Sequence, residues 1–454
     1  MKKAAALANH ELGVLDRKRA RAIVEACNEI LGGDHRSFDA IVRGRKRGAA
    51  EASFDVGDDI RKPGQTPETY ISPDYLDQFV VDVFQAGAGT SFHMNVNEVL
   101  ANLANRSLGG TVGDYDPVHP NDHVNMGQST NDTFPTATRV AILLYLRELL
   151  PVLADLASAF EAKGAEFSDV IKSGRTHLQD AVPVTLGQEF AAYGAAIRRS
   201  VRLLVDAADE LRELGIGGSA VGTGINTAEG YRYVIVEHLS ALTGLELESM
   251  SDLREAMQSQ QPIASVSASL RNLALELTRI SNDLRLLSSG PLTGLAEIIL
   301  PEVQPGSSIM PGKVNPSMLE CMNQVAFHVV GADATISYAV QAGQLELNVM
   351  MPLMAYEMLF SIEILKNYVP VFTEKCVSGI KADRGRNEEY YISSPALATA
   401  LNPIIGYARA AEIAKESART NRAIPELLKE RGILSDEEIE RIFTPEFLAG
   451  QADR

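Results

Sequence analysis

The sequence predicts a mainly α fold built around a bundle of long helices, and three observations carry that prediction. Apolar residues recur at helical spacing over long stretches, strand-like alternating runs are short and few, and 454 residues with 45% hydrophobic content can bury a sizeable core. At about 150 residues per unit, the length suggests about three structural parts.

Residues 4–31 read as helical. Between Gly32 and about Asp74 the composition changes to glycines, prolines, the basic run Arg43-Gly44-Arg45-Lys46-Arg47 and the acidic pair Asp58-Asp59, which predicts a long surface loop of inserted character. No aromatic residues interleave with that basic run, so it reads as a solvated loop and not as a polyanion site. From Arg139 the periodicity becomes regular. Ile142, Leu146, Leu149, Leu153, Leu156 and Phe160 are spaced 4, 3, 4, 3, 4; Ile197, Val201, Leu204, Ala208 and Leu211 repeat the pattern; Ile263, Val266, Leu270, Leu273, Leu277, Ile280, Leu284 and Leu287 sustain it for over three heptads. A helix of about 30 residues is on the order of 45 Å long, so several side by side form a bundle. Pro151 is expected to kink the first. Helical pattern continues from Met322 to about Lys375, with Pro352 and Pro370 read as interruptions. Beyond Lys381 the elements turn short and polar, and Ser435 is the expected N-cap of a last helix with Asp436, Glu437 and Glu438 in its first turn. Boundaries are drawn near 127 and 385, giving an N-terminal part (1–127, with the inserted loop at about 32–74), a central helix bundle (128–385) and a small C-terminal part (386–454).

Composition excludes several classes. With 59 acidic against 42 basic residues and a net charge of -17, the chain repels phosphate backbones and anionic membranes, so neither is an expected partner. Cys27, Cys321 and Cys376 are odd in number and far apart, which fits neither a disulfide framework nor a Cys-x-x-Cys metal site and suggests a reducing cytoplasm. The apolar run Ala4 to Ala8 is cut short by Asn9, His10 and Glu11, so it does not read as a signal peptide. No stretch approaches the roughly 20 apolar residues of a membrane span.

Three islands rich in Gly, Ser, Thr, Asn and His stand out from the bundle pattern. Gly306-Ser307-Ser308-Ile309-Met310-Pro311-Gly312-Lys313-Val314-Asn315-Pro316 is a loop by composition, able to open and close, in which Lys313 and Asn315 form a receptor for a carboxylate. It is not a P-loop, because Val314 follows Gly312-Lys313 where Ser or Thr is required. Gly127-Gln128-Ser129-Thr130-Asn131-Asp132 precedes a helix, where hydroxyls and free N–H groups bind anions or simply cap the helix. Gly174-Arg175-Thr176-His177-Leu178-Gln179-Asp180 also precedes a helix, and His177 reads either as a site group or as a satisfied structural histidine. A weaker element, Gly87-Ala88-Gly89-Thr90-Ser91-Phe92-His93-Met94-Asn95, matches a dinucleotide fingerprint only superficially, since no Rossmann-type strand precedes it. His119 and His123 are four apart, but Pro120 lies between them and no third metal ligand is evident.

The 306–316 segment resembles the signature Gly-Ser-Ser-x-x-Pro-x-Lys-x-Asn of the fumarase/aspartase superfamily, a highly specific pattern. The similarity extends through Gly127 to Thr138, Gly174 to Phe190, Gly222-Thr223-Gly224, Asn282 to Pro291 and Ala342 to Met350, and so covers most of residues 75–435. Gln128 to Asp132, Thr176 to Asp180 and Ser281 to Leu286 are nearer to the aspartate ammonia-lyases than to class II fumarases. The resemblance implies a homotetramer whose active sites each gather loops from three subunits, a small dicarboxylate substrate and no cofactor, with activation by a divalent cation left open. It also implies an anti-elimination of ammonia through an enediolate. Carried over position by position, Ser307 takes the catalytic base; Lys313 and Asn315 hold the α-carboxylate; Ser129, Thr130, Thr176 and the backbone at Ser308 are donors to the carboxylate where charge builds; Thr90, Asn131 and His177 lie near the amino group, with His177 either general acid or binding group.

Four departures accompany it. The chain starts near what is usually an internal helix, Phe92-His93 replaces a small or polar residue followed by asparagine, Met351 and Leu292 replace glutamate and arginine, and Ser393-Ser394-Pro395 replaces Ser-Ile-Gly. Class II fumarase, a lyase for another substituted succinate, and a non-catalytic relative that kept the bundle are the competing expectations.

Overall fold

The computed structural model describes residues 1–32, 36–45 and 72–450. The mainly α expectation holds. Long helices span Thr130–Glu166, Leu186–Asp209, Gln261–Leu287, Ser317–Gln341 and Met351–Lys375, and the described strands form three two-stranded sheets. Every residue of the three apolar seams is buried except Val201, which is half-buried. That burial is why the 4, 3 spacing specifies these helices: emptying one such leucine position to alanine costs about 2–5 kcal/mol.

The described chain divides into two compact units, each assembled from separated stretches. The boundaries near 127 and 385 follow the sequence instead and remain a proposal. The first unit comprises residues 1–151, 202–272 and 327–366. Its N-terminal part packs Leu7, Ile23, Val24, Ile30, Leu100, Leu103, Val118 and Val124 into one apolar cluster. The segment expected to be one helix is two, Lys2–Glu11 and Arg17–Leu31. Gly13 takes a left-handed φ of 75° between them, and the Asp16 carboxylate caps the second helix by accepting from the N–H groups of Lys18 and Arg19 at 3.0 Å. The 32–74 segment is not all loop, because Phe38–Arg45 is helical: Phe38, Ile41 and Val42 share one face and pack on the same cluster. Residues 46–71, with Lys46-Arg47, lie outside the described residues.

The second unit comprises residues 152–201, 273–326 and 367–454. Its C-terminal helices enclose Leu397, Leu401, Ile413, Ile424, Leu427, Leu428 and Ile442. Ser435 caps the helix Asp436–Ile442 as expected, and Glu438 completes a capping box. Pro352 and Pro370 do not interrupt the helical pattern as expected, and Pro151 lies inside a continuous helix. The helix Thr130–Glu166 runs on through Pro151, Met351–Lys375 runs on through Pro370, and Pro352 sits in the first turn of that helix, where a missing N–H costs nothing; the break falls at residues 342–350 instead.

The 174–180 island is also not a plain loop. It is the apex of an antiparallel hairpin, β1 (Ile171–Thr176) and β2 (Gln179–Thr185), with a bulge between Ser173 and Arg175. Gly174 lies in that bulge, where an added Cβ would stand 2.6 Å from the Val182 carbonyl oxygen. No helix among the described residues is long and apolar enough to cross a membrane.

Candidate active site

The expected site residues fall into two sets, one in each unit. In the first unit, Ser129, Thr130 and Asn131 open the helix Thr130–Glu166. Ser129 Oγ accepts from the Asn131 N–H at 3.2 Å while Asp132 accepts from the Ser129 N–H at 2.9 Å, a reciprocal cap that satisfies two helix-end donors. The capping reading of Ser129 is therefore real, and it leaves the hydroxyl proton free to donate elsewhere. The Asn131 amide donates to the Ala220 carbonyl at 2.8 Å. Thr90 is the exposed first residue of Thr90–Ser107, following Gly89 with φ 83°. A Cβ on Gly87 would fall 1.5 Å from the Val349 carbonyl oxygen and one on Gly89 would fall 2.4 Å from the Phe134 ring, so these glycines serve backbone packing and not a nucleotide.

Beneath this row lies a buried polar cluster that the sequence did not announce. Asp132 is fully buried and accepts from the N–H groups of Gly217 at 3.1 Å and Ser219 at 2.9 Å, clamping the glycine-rich turn to the helix start. Burial raises its pKa to about 6 against those stabilising N–H bonds. Thr130 Oγ1 sits 2.7 Å from His93 Nδ1, and His93 Nε2 meets the ammonium of Lys2, which also donates to Asn125 Oδ1 at 3.1 Å and Gln128 Oε1 at 2.8 Å. Burial is the main cause that pushes His93 down to about 3, with Lys2 adding to it, so the imidazole is neutral. Burial likewise draws Lys2 down to about 7, opposed by Asp132 and Cys27. The only sequence signal for Lys2 is a charged residue beginning an alanine-rich helix, which ordinarily means a solvated face. His119 and His123 are structural: His119 Nδ1 accepts from the N–H groups of Asn121 and Asp122, and His123 Nδ1 accepts from the His119 N–H.

In the second unit, His177 and Leu178 form the two-residue hairpin turn with φ values of 56° and 58°. Such a turn normally uses Asn-Gly, so two bulky residues in the left-handed region mark strain retained at an exposed apex. Below the apex, the Glu297 carboxylate is fully buried, 2.8 Å from Lys172 Nζ and 2.7 Å from Arg175, and Lys172 also pairs with Glu189 at 2.8 Å. The hairpin is further tied down by Ser394 Oγ, which donates to Asp180 at 3.1 Å.

The 306–315 loop closes on itself. The Asn315 amide donates to the Gly306 carbonyl, so the asparagine expected to hold a carboxylate pins the loop base here. A Cβ on Gly306 would fall 1.7 Å from the Lys313 carbonyl oxygen, which allows only glycine there. Ser307 Oγ accepts from the N–H groups of Ile309 at 3.3 Å and Met310 at 3.0 Å. Those contacts favour the ionised oxygen over the hydroxyl. Ser308 and Lys313 are exposed, Lys313 has no ion pair among the described residues, and Ile309 and Met310 are 83% and 49% exposed.

A family model described as "Lyase" matches residues 45–331, and one described as "Fumarase C C-terminus" matches residues 397–450. An aspartate ammonia-lyase of a Bacillus species is 43% identical over 98% of this chain and 86% of its own length; one from Helicobacter pylori is 44% identical over 98% and 87%. Among solved structures, a fumarate lyase:delta crystallin from Brucella melitensis bound to cobalt superimposes with a TM-score of 0.85 at 44% identity, covering 99% of this chain and 89% of that one. A class II fumarase from Schistosoma mansoni gives 0.84 at 34% identity, covering 99% and 88%.

Proposed function

The chain belongs to the fumarase/aspartase superfamily of lyases, and from that premise we propose that it eliminates ammonia reversibly from L-aspartate to give fumarate. The observation that carries the reading is the nearly end-to-end relation to aspartate ammonia-lyases at 43–44% identity. The site chemistry suits it.

The proton to be removed lies beside a carboxylate, so its loss builds a second negative charge on the carboxylate oxygens. Donors must therefore be focused there. In our reading Ser129, Thr130, Thr176 and the Ser308 backbone supply them. Ser307, as alkoxide, takes the proton, and the two N–H groups aimed at its oxygen support that role. The enediolate then collapses to the double bond of fumarate as the carbon–nitrogen bond breaks. The substrate ammonium already carries three hydrogens and leaves as neutral ammonia, so His177, Thr90 and the Asn131 carbonyl act as binding groups. Lys313 balances the α-carboxylate with Asn315 shaping the loop beneath it. No step in this scheme calls for a cofactor; chelation followed by readdition of divalent cations tests for activation.

The six groups on the hairpin and the 306–315 loop and the four in the first unit are proposed to meet across chains of a homotetramer. Large apolar side chains left exposed on the long helices, among them Leu203, Leu275, Phe327, Tyr338 and Tyr356, support association through helix faces. Light scattering on the purified protein checks the mass. The free cysteines fit a cytoplasmic location, which cell fractionation tests. The competing class II fumarase reading rests on the 34% identical structure. Loss of fumarate absorbance with ammonia, and none with water alone, supports the ammonia-lyase; the reverse would sink it.

A further inference from the structure

We propose that Lys2 and His93 form a buried positioning relay that turns the hydroxyl proton of Thr130 outward, toward a substrate carboxylate. The inference rests on the reading of Thr130 as a donor to that carboxylate.

Lys2 Nζ donates to Asn125 Oδ1 and Gln128 Oε1 and meets His93 Nε2, and in its ammonium form, which prevails below about pH 7, it has three protons and no lone pair to offer that ring nitrogen. His93 Nε2 must then be the bare nitrogen of a neutral imidazole, which places the ring proton on Nδ1. That proton faces Thr130 Oγ1 at 2.7 Å, so the threonine oxygen accepts and its own proton has to point away from His93. Lys2, His93 and Thr130 are 6%, 5% and 8% exposed, so water does not compete for these contacts. With the opposite ring tautomer, Thr130 would donate inward and present a lone pair to an anion, a repulsive arrangement. The two residues thus choose between a site that attracts a carboxylate and one that repels it. Neither touches the substrate itself.

Polarity reversal tests the relay. His93→Asn puts an amide N–H where Nδ1–H stood, whereas His93→Asp, of nearly the same size and paired with Lys2, can only accept and so draws the Thr130 proton inward. Removing a donor aimed at developing charge costs about 100- to 1,000-fold in kcat. We expect Thr130→Val and His93→Asp each to lose turnover of that order mainly in kcat, His93→Asn to stay within about fivefold of wild type, and His93→Asp combined with Thr130→Val to lose no more than either alone. A double variant whose losses multiply, or an asparagine variant as poor as the aspartate one, would overturn the relay, because a purely structural role is blind to hydrogen-bond direction. Should His93→Asp fail to assemble, a cycle of Lys2→Met with Thr130→Val makes the same comparison. Wild-type turnover of aspartate separates the two readings: turnover indifferent to His93→Asp and Thr130→Val ends the relay and leaves the lyase standing, whereas no turnover by wild type removes the premise of both.

Discussion

Replacing Glu297 should unfold the chain more readily than any single surface ion pair could, and the size of the effect follows from how the carboxylate is held. Glu297 is fully buried and balances Lys172 and Arg175, while Glu189 gives Lys172 a second partner, so the four charges sum to zero. Both Glu297 contacts are close enough for ion pairs but lack hydrogen-bond alignment, so they recover only part of the desolvation cost. Removing the carboxylate leaves Lys172 with Glu189 and orphans Arg175, whose side chain is only 15% exposed. Breaking one side of a buried pair costs about 3–5 kcal/mol; we expect about 4 for Glu297→Ala, which also opens a cavity, and about 2–3 for Glu297→Gln, which keeps the volume. The combination Glu297→Leu with Arg175→Met leaves the Lys172–Glu189 pair whole and should lie within about 2 kcal/mol of wild type, part of that being the lost Arg175–Tyr390 ring contact at 5.6 Å. Urea unfolding followed by far-ultraviolet circular dichroism at fixed protein concentration measures all four proteins. A shift below about 1 kcal/mol for Glu297→Ala, or a double variant weaker than the single, would refute the reasoning.

Leu178→Gly should raise stability by up to about 1 kcal/mol in the same urea assay, because glycine takes the left-handed turn position without the Cβ clash that Leu178 bears at φ 58°. Gly306→Ala should abolish most fumarate formation while the circular dichroism spectrum stays native, since its Cβ would collide with the Lys313 carbonyl and force the loop base open. Burial lifts the thiols of Cys27 and Cys376 to about 11 and about 12, so iodoacetamide at neutral pH should label the native chain at Cys321 alone, as mass spectrometry of the digest will report. Asp132, at about 6 when folded against an ordinary value near 4, binds its proton more tightly in the native state. Its contribution to stability is present below about pH 4 and is lost as pH rises through about 6, so Asp132→Asn should remove that downward slope relative to wild type in urea midpoints taken at pH 4.5 and 7.

What the sequence made legible is what burial writes at short range. A helix that hides one face repeats its apolar residues every three to four positions, and the seams from Ile142, Ile197 and Ile263 state this directly. The break between Lys2–Glu11 and Arg17–Leu31 was also written, in Gly13 and in Asp16 ahead of the second helix, but the alanine-rich stretches on either side read as one helix. The hairpin at Ile171–Thr185 was hidden because His177-Leu178 carries none of the Asn-Gly signal of its turn. The Lys2, His93 and Thr130 contacts join residues 91 and 37 positions apart, and no local pattern encodes them.

The hydroxyls show a subtler limit. For Ser129, helix cap and anion donor stood as alternatives in the sequence, yet the geometry makes one the cause of the other. Its oxygen already accepts from the Asn131 N–H, so its proton is the part left to face outward. Ser307 accepts from two backbone N–H groups, and by the tautomer argument Thr130 accepts from His93. In the proposed reading an occupied lone pair at Ser129 and Thr130 leaves the hydroxyl proton for an incoming carboxylate. At Ser307 the same kind of contact favours losing the proton altogether. In the proposed reading, contacts of one kind thus serve both the donors and the base.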